Sequence, residues 1–320
     1  LFPSLSHLTT FIALAFLVSF TFINSFGVKN GSFVQQLTSI IKVIFFVIFI
    51  VACFSYSGVK FNPIENKPFL LETSVFIAFF KSLQMVLGTY DGWNAGCFFA
   101  EEDANPSKNI PKSLYTGAFI VIFIYTVINV AFFYVLPVSE LANSPLAASD
   151  VAKVVFGENG AVIVTVIAVF SMISILNAFT MIPARILFGL SRDGFFINKG
   201  TLINKGGTPI IALLISASFT LILIVIGSFE ILFSLATFMS VIVWGLAYAS
   251  LIKLRISEPN LPRPYKSWVY PYTTFIMLVF SVVLFLGFAY SDQHSLMVIG
   301  IVTLLSYPLF LAINRNKNQP

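Results

Sequence analysis

The chain has 320 residues, of which 58% are hydrophobic and 10% charged, with a mean hydropathy of +0.94. A soluble domain carries about 25% charged residues, so a water-soluble fold is excluded and a polytopic membrane protein, with the lipid bilayer as its first partner, is expected. The net charge of +5 reads as basic loops. A nucleic-acid partner is not expected, because no cluster of Lys and Arg with aromatics on a polar face occurs in the sequence.

In chain order, nine apolar segments are near or above the ~20 residues that a span needs. They run roughly over 8–26, 34–56, 73–104 (broken near 88–92), 112–136, 159–188, 208–227, 229–252, 270–290 and 295–313. The fold class is therefore all-α. Residues 139–156 predict a short surface helix, with Ser139 as candidate cap and Glu140 in its first turn. Only Gly227, Ser228, Phe229 and Glu230 join the sixth and seventh segments, which predicts a tight helical hairpin.

The second segment carries Lys42, about 12 Å along a helix from Val34 at ~1.5 Å per residue. That is too deep for a plain interfacial lysine, although a long stem can snorkel part of the way. A cation at that depth needs a partner or a cavity. In the fifth segment Ser171, Ser174 and Asn177 recur at spacings of three. Such groups line a cavity or join helices by hydrogen bonds, and joining is slightly favoured. Pro183 predicts a local kink.

The third segment organises the rest. At its middle stand Gly88, Thr89, Tyr90, Asp91, Gly92 and Asn94. Two glycines weaken a helix there, and an ionisable Asp91 at membrane depth is expensive. Together they predict a spanning helix that breaks, with free carbonyls and the negative dipole end of its first half at the break. That end suits an ammonium group. Discontinuous helices of this kind build substrate sites in secondary transporters. Gly88 and Gly92 alternatively serve close helix packing. Asp91 either meets a cation or proton, or caps the second half-helix by accepting N–H groups near Trp93 or Asn94. Lys81 lines a vestibule or, better, snorkels outward.

No catalytic constellation is present: there is no nucleophile–base pair, no phosphate-binding glycine loop and no spacing for a metal, so neither enzyme activity nor a cofactor is expected. Cys53 and Cys97 both sit in apolar runs, and His7 and His294 are lone. Lys and Arg placement sets the orientation. Lys29, Lys108, Lys112, Arg185, Arg192, Lys199, Lys205, Lys253, Arg255, Arg263, Lys266, Arg315 and Lys317 fall at one side, against Lys60, Lys67 and Lys153 at the other. The basic side is expected to be cytoplasmic, with the C-terminus inside and Leu1 outside. An outside start without initiator Met or leader leads to the expectation that earlier spans precede Leu1.

Tyr90-Asp91-Gly92-Trp93-Asn94, Glu101-Glu102 and Asn105-Pro106-Ser107-Lys108-Asn109-Ile110-Pro111 together resemble the sixth helix of the amino acid–polyamine–organocation superfamily, nearest its L-type amino acid transporter-like branch. Further motifs agree in order. They are Gly27-Val28-Lys29 with Val34-Gln35, the run from Ala184 to Gly194, Gly207-Thr208-Pro209, and Arg263-Pro264-Tyr265-Lys266 with Tyr270-Pro271.

The resemblance implies a leucine-transporter-like inverted-repeat fold with helices four to twelve present and the first three missing. Residues 1–56 would be the remainder of the first repeat, 73–252 the second repeat and 270–313 two C-terminal helices. It implies an amino acid permease of the cell membrane working by alternating access. Exchange is the first mode and proton-coupled uptake of amino acids or polyamines the alternative. An ion channel is kept as the reading from another class; it would want polar rings along a continuous path, which a single broken helix with one Asp fits poorly.

The residues from Gly88 to Gly92 and Asn94 would bind substrate. Gly88 falls where relatives carry a bulky aromatic gate, so a roomier pocket is expected, or gating by Tyr90. Asn94 would help line the pocket, or else bond between helices. Lys42 would stand in for sodium, near Ser174, making transport sodium-independent. Glu101 and Glu102 would form a cytoplasmic gate or interface, with Arg185 or Arg192 as partner. The stretch Leu1–Ser6 lacks the cysteine by which animal members bind a heavy chain. No disulfide-linked heavy chain is therefore expected, and a free-standing bacterial permease is.

Overall fold

The structure is a computed structural model that describes residues 8–58, 73–263 and 265–315, the side chains of 28–34, 102, 309 and 312–315 apart. The expectations for Leu1–Ser6 and His7, and for the side chains of Lys29, Glu102 and Arg315, lie outside the described residues. So do those for Lys60, Lys67 and Lys317.

Eleven α-helices are described: α1 (Thr9–Ser25), α2 (Val28–Ser55), α3 (Thr73–Thr89), α4 (Pro106–Val135), α5 (Val138–Asn143), α6 (Ala147–Phe156), α7 (Glu158–Arg192), α8 (Ile210–Ile226), α9 (Phe229–Ser257), α10 (Tyr272–Ser291) and α11 (Gln293–Arg315). A 3-10 helix, Ala95–Glu102, follows α3. Among the described residues the only β pairing is the isolated bridge of Ile203 with Pro209. The all-α expectation therefore holds.

The Gln35–Ser55 part of α2, together with α4, α7, α9 and α10, is long and apolar enough to cross a membrane; α1, α3 and α8 are shorter apolar helices. Large apolar side chains cover the helix surfaces, with Phe119 73% and Phe123 69% exposed on α4. Water would not tolerate such a surface, whereas a bilayer requires it: each helix satisfies its own backbone and presents hydrocarbon outward. The protein is a multi-pass membrane protein.

Several boundaries differ from the sequence reading, α7 and α9 running four and five residues further than expected, to Arg192 and Ser257. The α4 helix begins at Pro106 and contains Pro111, six residues earlier than expected from hydropathy. Proline suits a first helical turn, where N–H groups have no intrahelical acceptor. The single surface helix expected over 139–156 is two helices, α5 and α6, and Ser139 lies inside α5 behind Pro137 and caps nothing. Nor is α6 purely superficial, since Val151 and Ala152 are fully buried in a cluster with Phe49, Cys53 and Ala131.

The chain divides into two compact units, residues 1–67 with 115–225 and residues 68–114 with 226–320. In the first, α7 packs against α1, α2 and α6. In the second, α9 packs against α3, α10 and α11, around Phe80, Phe238, Val241, Leu284 and Phe288. Ser228 connects α8 to α9 and caps α9 by accepting the N–H of Ile231 at 3.4 Å. At the other end of α9, the Arg263 guanidinium donates to the carbonyls of Leu254, Glu258, Pro259 and Leu261. A cation there satisfies orphan carbonyls and opposes the helix dipole.

Candidate functional site

In the first unit the site grows from two helix faces. Gln35, Thr38 and Lys42 are spaced by three and four residues, so they share one face of α2. That face meets Ser174 of α7, which is 1% exposed. Thr38 Oγ1 donates to Ser174 Oγ at 2.8 Å, and Lys42 Nζ donates to the same oxygen at 3.2 Å. Ser174 Oγ donates in turn to Gln35 Oε1 at 3.1 Å. One hydroxyl thus joins three polar groups of α2, and Lys42 and Ser174, paired in the sequence reading, are neighbours. Thr38 was not singled out there, although its spacing from Gln35 and Lys42 carried the signal.

One turn further along α7, Asn177 is buried and accepts from Asn24 Nδ2 of α1 at 3.1 Å. Ser174 and Asn177 therefore join helices, the reading that was favoured. Arg185 donates to the carbonyl of Gly207 at 3.3 Å, and Arg192 lies over the Phe188 ring. The loop after α7 is tied to the end of α1: Asn204 Nδ2 donates to the Ser25 carbonyl, and Thr208 Oγ1 to that of Asn24 at 2.8 Å. The sequence reading missed Asn204.

In the second unit, α3 ends at Thr89, turns occupy Tyr90 to Asn94, and the 3-10 helix follows. The break falls where the glycines predicted it. Tyr90 N–H is shared by the carbonyls of Val86 and Leu87, and Thr89 Oγ1 also bonds Val86 O, at 2.7 Å. Gly88 O accepts a long bond of 3.4 Å from Asp91 N–H. Gly92 has φ +99°, a conformation that side chains oppose, and no atom lies within 4 Å of the Cβ it lacks. It turns the chain; it does not serve close packing.

Asp91 takes a different capping role from the one expected. Its Oδ1 accepts the N–H of Gly92 at 2.8 Å, and its Oδ2 accepts from Ser240 Oγ of α9 at 3.3 Å. The N–H groups of Trp93 and Asn94 are not its partners, and the positive φ at Gly92 redirects the chain that carries them. Asn94 itself holds the cap position of the 3-10 helix, without a side-chain bond. The roomier pocket expected at Gly88 is also corrected. A Cβ there would lie 2.2 Å from Phe233 Cζ and 2.8 Å from Thr237 Oγ1, both on α9. Gly88 admits a close helix approach.

The α9 helix accompanies α3 in parallel register across the break. Gln84 pairs with Ser234, Gly88 with Phe233 and Thr237, and Asp91 with Ser240. Trp93 then meets Trp244, with ring centroids 6.2 Å apart. The spacing of Ser234, Thr237 and Ser240 was the signal in sequence, and it went unread.

At one end of this register lies a polar cluster. Buried Gln84 donates to Ser234 Oγ at 2.8 Å, and Ser234 Oγ donates to Asp292 Oδ2 in the α10–α11 turn. Ser295 N–H donates to Asp292 Oδ1 at 3.1 Å. Burial raises the Asp292 pKa, but the hydrogen bonds from Ser234 and Ser295 and the charge of His294 outweigh it, holding the carboxyl below its ordinary value.

Glu101 is exposed on the 3-10 helix, and Lys81 is exposed on α3. A cavity of about 640 Å³ lined by Val241, Gly245, Ser281, Phe285 and Gly300 holds none of the candidate residues. Among the described residues, no group of three or more His, Cys, Asp or Glu could hold a metal ion.

A family model described as "Amino acid permease" matches residues 1–307. The chain belongs to the amino acid permease family. It is similar to the b(0,+)-type amino acid transporter 1 of Mus musculus, 28% identical over 269 residues, covering 80% of this chain and 52% of the relative. It is also similar to the large neutral amino acids transporter small subunit 2 of Mus musculus, 30% identical over 60% of this chain and 37% of the relative. The Asc-type amino acid transporter 1 of Mus musculus is 28% identical over 69% and 41%. These relatives support the L-type-like branch within the superfamily. The chain spans about half the length of the curated relatives that head the comparison.

Proposed function

We propose that the whole protein is a secondary amino acid transporter and not an enzyme. The observation that carries this is the break of α3 at Gly88–Asn94, with Asp91 at its turn, in a chain of the amino acid permease family. The end of α3 offers carbonyls and a negative dipole to a substrate ammonium group. Thr89, Tyr90, Asp91, Gly92 and Asn94 are the contact residues in this reading, and Gly88 contributes its weakly held carbonyl. The relatives are named as amino acid transporters, which supports the same substrate class.

Transport is sodium-independent in this reading, with Lys42 bonded to Ser174 as the fixed cation of the first unit. The leading mode is exchange by alternating access on an inverted-repeat scaffold, with 73–252 as the second repeat. Proton-coupled uptake is the second mode, favoured by one observation: the Lys42 ammonium bonds to a hydroxyl, a neutral partner that tolerates loss of the proton. Glu101, Glu102 and Arg185 serve as cytoplasmic gate charges. The C-terminus is cytoplasmic by the Lys and Arg bias, the membrane is the cell membrane, and a disulfide-linked heavy chain is not part of this reading, because Leu1–Ser6 has no cysteine.

The test is uptake of radiolabelled amino acids by the full-length protein in proteoliposomes, with and without internal amino acid, sodium or a proton gradient. Exchange predicts uptake that depends on preloading alone. A strict sodium requirement, or no amino acid uptake in any condition, would sink the reading.

A further inference from the structure

The space around the break is unequal at its two glycines. At Gly92 an added Cβ would meet nothing within 4 Å, whereas at Gly88 it would meet Phe233 Cζ at 2.2 Å and Cε1 at 2.5 Å. The side-chain volume of position 88 is therefore filled, and the atoms that fill it come from α9. The ring is held from its own helix: Phe229 lies one turn earlier, with ring centroids 5.6 Å apart and planes 31° apart. Thr237, one turn later, lies 2.8 Å from the same Cβ position. Its hydroxyl is engaged with the Phe233 carbonyl at 3.0 Å, so the Gly88-facing turn of α9 is internally fixed.

We propose that Phe233 is a specificity-determining residue: its ring is the wall that limits the size of the substrate side chain beside the break. This rests on the reading of the break as the amino acid site. A large residue at position 88 and a large residue at position 233 exclude one another, because both claim one volume. Gly88 and Phe233 thus form a reciprocal size pair, in which a wall that position 88 could have supplied from the broken helix is supplied from its unbroken neighbour. The consequence differs from that of an empty glycine position. With Gly88 alone, the space beside the break would be wide; with Phe233 in place, it is filled at Gly88 and stays open at Gly92. Removing a few methylene-sized groups from a pocket wall changes discrimination by roughly tenfold or more.

The experiment uses the full-length protein in proteoliposomes and compares uptake of alanine, leucine, phenylalanine and tryptophan. Phe233→Ala is expected to raise the phenylalanine-to-alanine uptake ratio by about tenfold. Phe233→Leu should move it the same way by less, and serves if the Ala variant fails to insert. Gly88→Leu should lose uptake, and adding Phe233→Gly should restore it. An unchanged ratio in a Phe233 variant that inserts and transports, or no rescue of Gly88→Leu, overturns the assignment while leaving amino acid transport standing. A wild-type protein that takes up none of the four overturns the transport reading together with it.

Discussion

Lys42 and Ser174 stand 132 residues apart in sequence and 3.2 Å apart in space, ammonium to hydroxyl. The contact crosses from α2 to α7, and the same hydroxyl also engages Thr38 and Gln35. A single buried serine thereby holds the charged face of α2 in register with α7. The register depends on Oγ being both donor and acceptor, which a hydroxyl supplies.

Replacing Lys42 by Met keeps the stem and deletes the charge. The variant should insert and fold, since the apolar packing of α2 is retained, while turnover drops tenfold or more. Ser174→Ala removes the shared hydroxyl and should weaken transport less, because Thr38 and Gln35 can still approach Lys42. Initial uptake rates normalised to surface expression measure both. Wild-type turnover in Lys42→Met would end the proposal that it is the coupling cation.

Asp91 serves two neighbours, Gly92 N–H and Ser240 Oγ. An Asn side chain keeps the carbonyl oxygen for Gly92, and its amide can donate to the Ser240 hydroxyl, which accepts as well as donates. Asp91→Asn should therefore leave thermal stability within about 0.5 kcal/mol of wild type. Loss of the charge should selectively abolish uptake of arginine and lysine, with leucine uptake preserved. Equal loss of cationic and neutral substrates would instead assign Asp91 to the fold of the break.

The break itself was legible because its signals are local: two glycines and an Asp within an apolar run. The helices were legible for the same reason, since hydropathy is read residue by residue. Lys42 stood out as a charge with no local justification, and depth alone demanded a partner. What escaped notice was pairwise. Phe233 is one of 37 phenylalanines, and nothing in its local sequence tells that its ring fills the volume of Gly88. Ser240 and Thr237 looked like ordinary small residues of a membrane helix. Asp292 has Ser295 three residues on, a local partner, but only the fold brings Ser234 to it. The 3-10 helix was equally hidden, because its residues alone do not distinguish it from a turn of α-helix.

Asp292 gives a pH prediction with a definite sign. Its folded-state pKa lies below its ordinary value, despite burial, through Ser234, Ser295 and His294. The stabilisation is therefore complete above the ordinary carboxylate range and is lost as pH falls through and below it. Asp292→Asn should lower the Tm of the detergent-solubilised protein at pH 7 by about 2–4 °C. The same variant should flatten the acid limb of Tm against pH. A mutant whose acid limb parallels that of wild type would remove Asp292 as its cause.

Gly88 and Gly92 are four residues apart and should fail for different reasons when changed to Ala. At Gly92 there is room, but φ is +99°. The cost is backbone strain, roughly 1–2 kcal/mol, and no change in a neighbour can relieve it. At Gly88 the backbone is helical and Ala is the better helix former, but its Cβ would meet the Phe233 ring and Thr237. The cost there is steric, typically about 1–3 kcal/mol for overpacking. Shrinking Phe233 should return most of it, apart from the cavity left by the ring. A double-mutant cycle separates the two causes. Phe233→Ala should couple favourably to Gly88→Ala, by about 1 kcal/mol or more, and should be additive with Gly92→Ala within about 0.5 kcal/mol. Thermal or denaturant unfolding in one detergent gives all the terms. Coupling at Gly92, or additivity at Gly88, would contradict the close approach of α3 and α9 on which the size pair depends.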